Sequence, residues 1–250
     1  MLNIPALRSA RFAVQLKEIS MLNAIKLAKM PLHASEKQNT FLLQSIIESV
    51  EGIECDPKYW TVQERLFAIG HYIAVTQDDD PDFAIGEARY SDYLMGDRQY
   101  KLDHYDLGVY GDDAWSAIPL LGIMAETIEA LEGEIIDIDQ RTHWNLGAMA
   151  CQLVVNGDAL DYRSPDYDQQ VLERMLTLSQ FSESDFIYLL TQLNVANAQM
   201  MHLFDLTMSD VGIVAKPIGG ADKPYARFPA DSAISTLSKQ LCGKPDRSST

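Results

Sequence analysis

The chain has 250 residues, 47% hydrophobic and 22% charged, with three cysteines, five histidines and a formal net charge of −16. That is enough apolar content for the core of one large domain or two modest ones, which excludes disorder along the whole chain. The acidic balance disfavours nucleic acid as a direct partner, because binding by counterion release needs clustered Lys and Arg facing phosphates.

Near the start, the alternation of Phe12, Val14 and Leu16 predicts a short strand. It leads into a helix that Ser20 caps and Pro31 stops, since proline lacks a backbone donor. Ser35-Glu36-Lys37-Gln38 matches a capping box, and Phe41, Leu42, Ile46, Ile47 and Val50 carry that helix to a stop at Gly52. Thr61-Val62-Gln63-Glu64 is the clearest capping box in the chain, opening a helix through Leu66, Phe67, Ile69, Tyr72 and Ile73.

Residues 78–113 hold ten Asp and one Glu against Arg89, Arg98 and Lys101, about half of the net charge, together with five of the 11 tyrosines. Pro81, Gly86, Gly96, Gly108 and Gly111 break any long regular element there. The segment reads as an extended acidic surface presenting Tyr90, Tyr93, Tyr100, Tyr105, Tyr110 and Trp115, amphipathic rings of the kind enriched at interfaces. The ends of the chain are basic. Arg8, Arg11, Lys17, Lys26, Lys29 and Lys37 outnumber Glu18 and Glu36, so Arg8 and Arg11 are further candidate contacts with neighbours.

Ala114 to Leu131 reads as a helix with Pro119 in its first turn and Met124, Ile128 and Leu131 as its buried stripe. Thr142 to Val155 reads as another, ending at Asn156-Gly157. Ser164-Pro165 and Ser182 with Asp185 open two amphipathic helices, and Met200 to Thr207 with Val211 to Lys216 forms a small hairpin. A last helix near Pro229 to Ser232 includes Ile234 and Leu237, before a tail from Cys242. The expected architecture is mainly α, an irregular multi-helix fold with a short N-terminal strand and a small β-hairpin near 200–216. It divides into a helical region 1–76, an acidic Tyr-rich connecting segment 77–113, a helical region 114–241 and a flexible tail 242–250. No internal repeat of fixed period is present, so a regular solenoid is not supported.

The residues nominate no catalytic, cofactor-binding or metal site. Phosphate-loop, dinucleotide-binding and H-E-x-x-H patterns are absent, and no histidine has Glu three residues before it. The acidic runs Asp78, Asp79, Asp80, Asp82 and Asp103, Asp106, Asp112, Asp113 lack the ligand order of a calcium loop. Glu126 and Glu129 lie near His143 in sequence, which leaves a metal-dependent helical enzyme as one alternative. Their position opposite Met124 and Ile128 instead predicts a solvated helix face. Cys55, Cys151 and Cys242 are too few for a disulfide framework, which fits folding in a reducing cytoplasm. The N-terminus lacks a signal-peptide core, and no apolar run approaches the ~20 residues that span a bilayer.

The strings LKEISMLNAIKLAKMP, WTVQERLFAIGHYIA, DFAIGEARYSDYL, DQRTHWNLGAMACQL, SESDFIYLL, GIVAKP and ARFPA occur in that order. In this pattern the chain resembles tail and baseplate proteins of tailed bacteriophages, including the small helical family needed in baseplate-hub assembly. The resemblance implies a non-enzymatic, multi-copy virion protein, made in the host cytoplasm, carried in the virion tail and seated beside other tail or baseplate subunits. A transient tail-assembly chaperone absent from the particle is the second reading it allows. The long acidic insertion favours the stable component.

Overall fold

The computed structural model of the chain describes residues 4–76, 81–96, 103–219, 222–228 and 230–234. A first sheet, ordered β1-β2-β3, joins Leu7–Arg8 (β1), Ala13–Leu16 (β2) and Ile47–Glu51 (β3), with helices Met21–Lys29 (α1) and Ser35–Ile46 (α2) between β2 and β3. Helix Val62–Thr76 (α3) follows, then a two-stranded hairpin of Ala84–Ile85 (β4) and Ala88–Arg89 (β5). A second three-stranded sheet joins Tyr105–Tyr110 (β6), Asp113–Ala117 (β7) and Leu153–Val155 (β8), with helices Gly122–Ala130 (α4) and Gln140–Gln152 (α5) between β7 and β8. Helices Tyr167–Ser179 (α6) and Glu183–Met200 (α7) and a hairpin of Asp205–Ser209 (β9) and Gly212–Lys216 (β10) complete it, with a 3-10 turn at Ala230–Ala233.

The expectation of a mainly α fold is therefore wrong. Among the described residues there are seven α-helices and ten strands in four antiparallel sheets, 45% helix and 21% strand, a mixed α/β architecture. Two errors have one cause. The helix expected to run to Gly52 stops at Ile46, and the one expected to run to Val155 stops at Gln152; each continues directly as a strand. At both joints the first strand residue has extended dihedrals while its N–H still bonds back into the helix, Ile47 to Leu43 O and Leu153 to Met149 O. No Gly or Pro marks the change, and Gly52 and Asn156-Gly157 follow the strands instead. Residues 114–117, expected to begin a helix, form most of β7, with Pro119 in the connection to α4.

Local signals fared better. Thr61 N donates to Glu64 Oε2 (2.9 Å) and Glu64 N to Thr61 Oγ1 (3.3 Å), both bonds of the expected capping box. Ser20 caps α1 through Asn23 N, and Ser182 caps α7 through Asp185 N (3.2 Å). The hairpin flanking Ser209-Asp210 is present. The last helix is the short 3-10 turn; Leu237 and the tail lie outside the described residues.

The order strand, strand, helix, helix, strand occurs twice, as β1-β2-α1-α2-β3 and β6-β7-α4-α5-β8, with the same strand order in the sheet. In each copy the residue after the middle strand donates to the last residue of the second helix, Lys17 N to Ile46 O (2.7 Å) and Ile118 N to Gln152 O (3.0 Å). Ala24 and Leu27 of α1 have buried counterparts in Ala125 and Ile128 of α4. The offset grows from 101 residues where the middle strands end, Leu16 and Ala117, to 106 where the closing ones begin, Ile47 and Leu153, so no fixed period marks it.

Two apolar clusters form the interior. One gathers β1 to β3, α1, α2 and one side of α3 with Ala230, Ala233 and Ile234; the other gathers α4 to α7, the second sheet and the β9–β10 hairpin. Helix α3 serves both, giving Val62 and Leu66 to the second cluster and Ala68, Ile69, Tyr72 and Ile73 to the first. Each of the Val, Leu and Ile side chains buried in this way stabilises by about 1.5–3 kcal/mol relative to exposure. No helix among the described residues is long and apolar enough to cross a membrane.

Candidate functional site

The β6–β7 hairpin turns at Gly111, in the left-handed region at φ +64°, and carries a register shift between Asp106 and Gly108. Asp106 Oδ1 accepts from Gly108 N at 2.8 Å, closing that bulge. The hairpin leans on α7. The Tyr110 ring stacks on Tyr188 with centroids 4.3 Å apart, and its hydroxyl donates to Asp185, which also accepts from Ser182 Oγ (2.6 Å). The bonds from Ser182 and then Tyr110 hold the Asp185 carboxyl below its usual range, and the bond to Asp185 raises the Tyr110 phenol.

The expected outward strip is only partly built. Tyr90, Tyr93 and Trp115 are buried, which corrects their assignment as presented contacts. Tyr90 stacks on Phe83 (5.0 Å) and meets Phe228 edge-on (5.8 Å), with burial pushing its phenol up. It lies against α3 where Gly70 leaves room, since a Cβ there would sit 2.6 Å from the ring. Tyr93 is fully enclosed and donates to Pro224 O at 2.7 Å. Trp115, on β7, faces the second core. Tyr105 and Tyr110 are half-buried, and Tyr100 lies outside the described residues. Short hairpins and a 3-10 turn at Tyr90–Asp92 let rings point inward while Glu87, Asp103, Asp106 and Asp112 remain exposed. At the other end Arg8 is exposed on β1, but Arg11 is engaged by Glu64 (2.7 Å) and Asp103 (3.7 Å).

A second constellation lies where α2 meets α4. The N-cap position of α2 is Ala34, whose side chain cannot cap, and Ser35 is already inside the helix. Glu129 of α4 supplies the cap, its carboxylate accepting from Glu36 N (3.0 Å) and Lys37 N (3.3 Å). Arg65 of α3 lies buried beside it, donating to Glu36 O (2.6 Å) and Thr40 Oγ1 (2.8 Å), with Glu36 Oε2 at 3.5 Å and Glu126 Oε1 at 3.9 Å. Thr40 donates to Glu126, and Lys58 Nζ stands 3.8 Å from its other oxygen. Gly122 makes room for the Arg65 guanidinium, which a Cβ at that position would strike.

The solvated face expected of Glu126 and Glu129 is thus a half-buried seam. Burial pushes Glu129 up to about 7, with Glu36 adding to the rise and the bonds from Glu36 N and Lys37 N opposing it. Burial also raises Glu126, against the opposing effects of Thr40, Arg65 and Lys58. The seam borders a cleft of about 870 Å³ lined by His33, Lys37, Lys58, Glu126, Glu129 and Asp168. The chemistry first weighed for Glu129 and His143 finds each group held elsewhere: Glu129 caps α2, and the buried His143 ring bonds Ile128 O at 2.7 Å. Among the described residues no cluster of three or more His, Cys, Asp or Glu is arranged to hold a metal ion. Asp82 accepts from Ser91 N (2.7 Å) and Oγ (2.8 Å), while Asp78 to Asp80 lie outside the described residues. Cys151 is fully enclosed and pushed up to about 12 by burial.

Sequence reasoning missed the outer face of α7. After Asp185 this helix carries no Asp, Glu, Lys, Arg or His, yet Ile187 is 53% exposed, Val195 43% and Tyr188 37%. The signal was present as a charge-free run from Phe186 to Met201. Compared with known proteins, the chain matches no family model, no curated protein and no solved structure.

Proposed function

We propose that this chain is a non-enzymatic structural component of a bacteriophage tail or baseplate, held among neighbouring tail subunits through the β6–β7 hairpin. The observation that carries the reading is the hairpin itself. Val109 near its tip is 72% exposed, Asp106 and Asp112 flank it, and the Tyr110–Tyr188 stack with the Asp185 bond braces it on α7. A braced apolar tip with a carboxylate rim suits a protein partner with basic borders, because complementary charge orients the encounter and the apolar centre supplies affinity. Arg8, exposed on β1, offers the opposite charge to a second neighbour. The resemblance of sequence pattern to tail and baseplate proteins supplies the class of partner.

Mass spectrometry of purified particles tests the reading. Stoichiometric presence is expected, and Val109→Asp combined with Asp112→Lys should reduce incorporation while leaving the circular dichroism spectrum unchanged. A protein needed for assembly yet absent from particles is a transient assembly chaperone, and undiminished incorporation of the double variant removes the hairpin from the interface.

A further inference from the structure

Helix α1 buries Ala24, Leu27 and Ala28, and Leu22, Lys26 and Lys29 share its opposite side at helical spacing. Leu22 is 63% exposed, and Leu32, just past the helix, 51%. From Ile19 to Ser35 the chain carries no acidic side chain, although it has 36 in all. Among the described residues neither Lys26 nor Lys29 has an ion-pair partner. An apolar centre rimmed by cations is the counterpart of the β6–β7 hairpin. The hairpin tip sets exposed Val109 between Asp106 and Asp112, and from Asp103 to Ala117 there are four Asp and no Lys or Arg. Both surfaces are exposed, so the hairpin does not rest on α1 of its own chain. The second unit shows how such a face is met. Aligning Ala24 with Ala125 and Leu27 with Ile128 puts Ile123 at the place of Leu22 and Thr127 at that of Lys26. Helix α6 packs against α4 on that side, where Asp168 Oδ1 accepts from Thr127 Oγ1 at 2.6 Å. Among the described residues no element covers the corresponding side of α1.

We infer that α1 receives the β6–β7 hairpin of a second copy of this chain, Val109 seating against Leu22 while Asp106 and Asp112 face Lys26 and Lys29. This rests on the reading of the hairpin as an interface and names its occupant. In a chain of net charge −16 two like patches repel, whereas this pair attracts and fixes the orientation of approach. The two patches differ, so the contact is heterologous. Each copy gives its hairpin to one neighbour and receives a hairpin from another, and the set closes into a ring or runs on as a filament.

Sedimentation of the full chain from low to high micromolar concentration should show association that weakens as salt is raised. Val109→Asp with Asp112→Lys blocks the hairpin, and Leu22→Glu with Lys26→Glu blocks α1. Each variant alone should sediment as a monomer and keep the parent melting curve, because the altered side chains are exposed. Mixed in equal amounts the two should form a pair and nothing larger, since one intact α1 and one intact hairpin remain. A monomer at every concentration, association that survives the α1 variant, or blocked variants that fail to pair when mixed overturns the inference. A monomer that binds anionic phospholipid vesicles through α1 overturns it too and assigns that face to a lipid surface. Loss of particle incorporation by the hairpin variant without any self-association overturns the inference while leaving the hairpin an interface for a different subunit, so the two readings fail separately.

Discussion

The two strand–helix–helix–strand units share order, sheet topology and joint, but they start their second helices differently. In the second unit α5 carries its own cap, Asp139 Oδ1 accepting from Thr142 N at 2.7 Å within the first turn. In the first unit Ala34 at the N-cap position of α2 offers no cap, and Glu129, 93 residues from Glu36 on the other unit, supplies it. The first arrangement is local, exposed and independent of packing; the second exists only when the units are docked, and it draws Glu36, Arg65, Glu126 and Lys58 into a common half-buried seam. A cap that must be borrowed makes helix formation report on docking.

The largest expected effect breaks the borrowed side. Arg65→Met leaves Glu36 and Glu126 without their buried cation and should cost about 3–5 kcal/mol in denaturant unfolding. Next, Gly122→Ala drives a methyl group into that guanidinium and should cost about 1–3 kcal/mol. A third test sharpens the comparison through pH. The folded state raises Glu129 from 4.5 to about 7, so it holds that proton more tightly than the unfolded chain; its contribution is fully present below 4.5 and is lost as pH rises toward 7. Asp139 runs the other way, held below 3.8 chiefly by the Thr142 N–H, so its contribution is present above 3.8 and lost as pH falls through its folded value. Glu129→Gln should therefore flatten the stability profile between pH 4.5 and 7, and Asp139→Asn should flatten only its acid limb, as read from urea midpoints across pH. The smallest effect is expected on the uncharged outer face of α7. Ile187→Glu should change the stability by no more than about 0.5 kcal/mol, because the side chain is exposed.

What was legible in the sequence was what neighbours in the chain decide. Thr61 with Glu64, Ser20 and Ser182 announced helix starts because a cap needs only residues three apart. The strands β3 and β8 were hidden because a change from helical to extended backbone at Ile47 or Leu153 needs no breaker once a waiting strand, β2 or β7, offers the pairing. Helical spacing placed Glu126 and Glu129 correctly opposite Met124 and Ile128, but it carried no word of α2 packing over that face. Counting charge between 78 and 113 located an acidic surface, yet charge counts are blind to which way a ring points, and Tyr90, Tyr93 and Trp115 point in. The outer face of α7 was overlooked for the converse reason: what marks it from Phe186 onward is the charge it lacks.

The loop-free joints at Ile46–Ile47 and Gln152–Leu153 also limit how the chain can change in length. One residue inserted ahead of either joint rotates everything beyond it by about 100° about the helix axis. The same insertion exchanges the two sides of the following strand, so inner and outer side chains trade places. Insertions and deletions within the two units should therefore fall in their loops, such as the turn at Gly111-Asp112 and the stretch 131–139, and length variation among any related chains should map the two joints as its silent points.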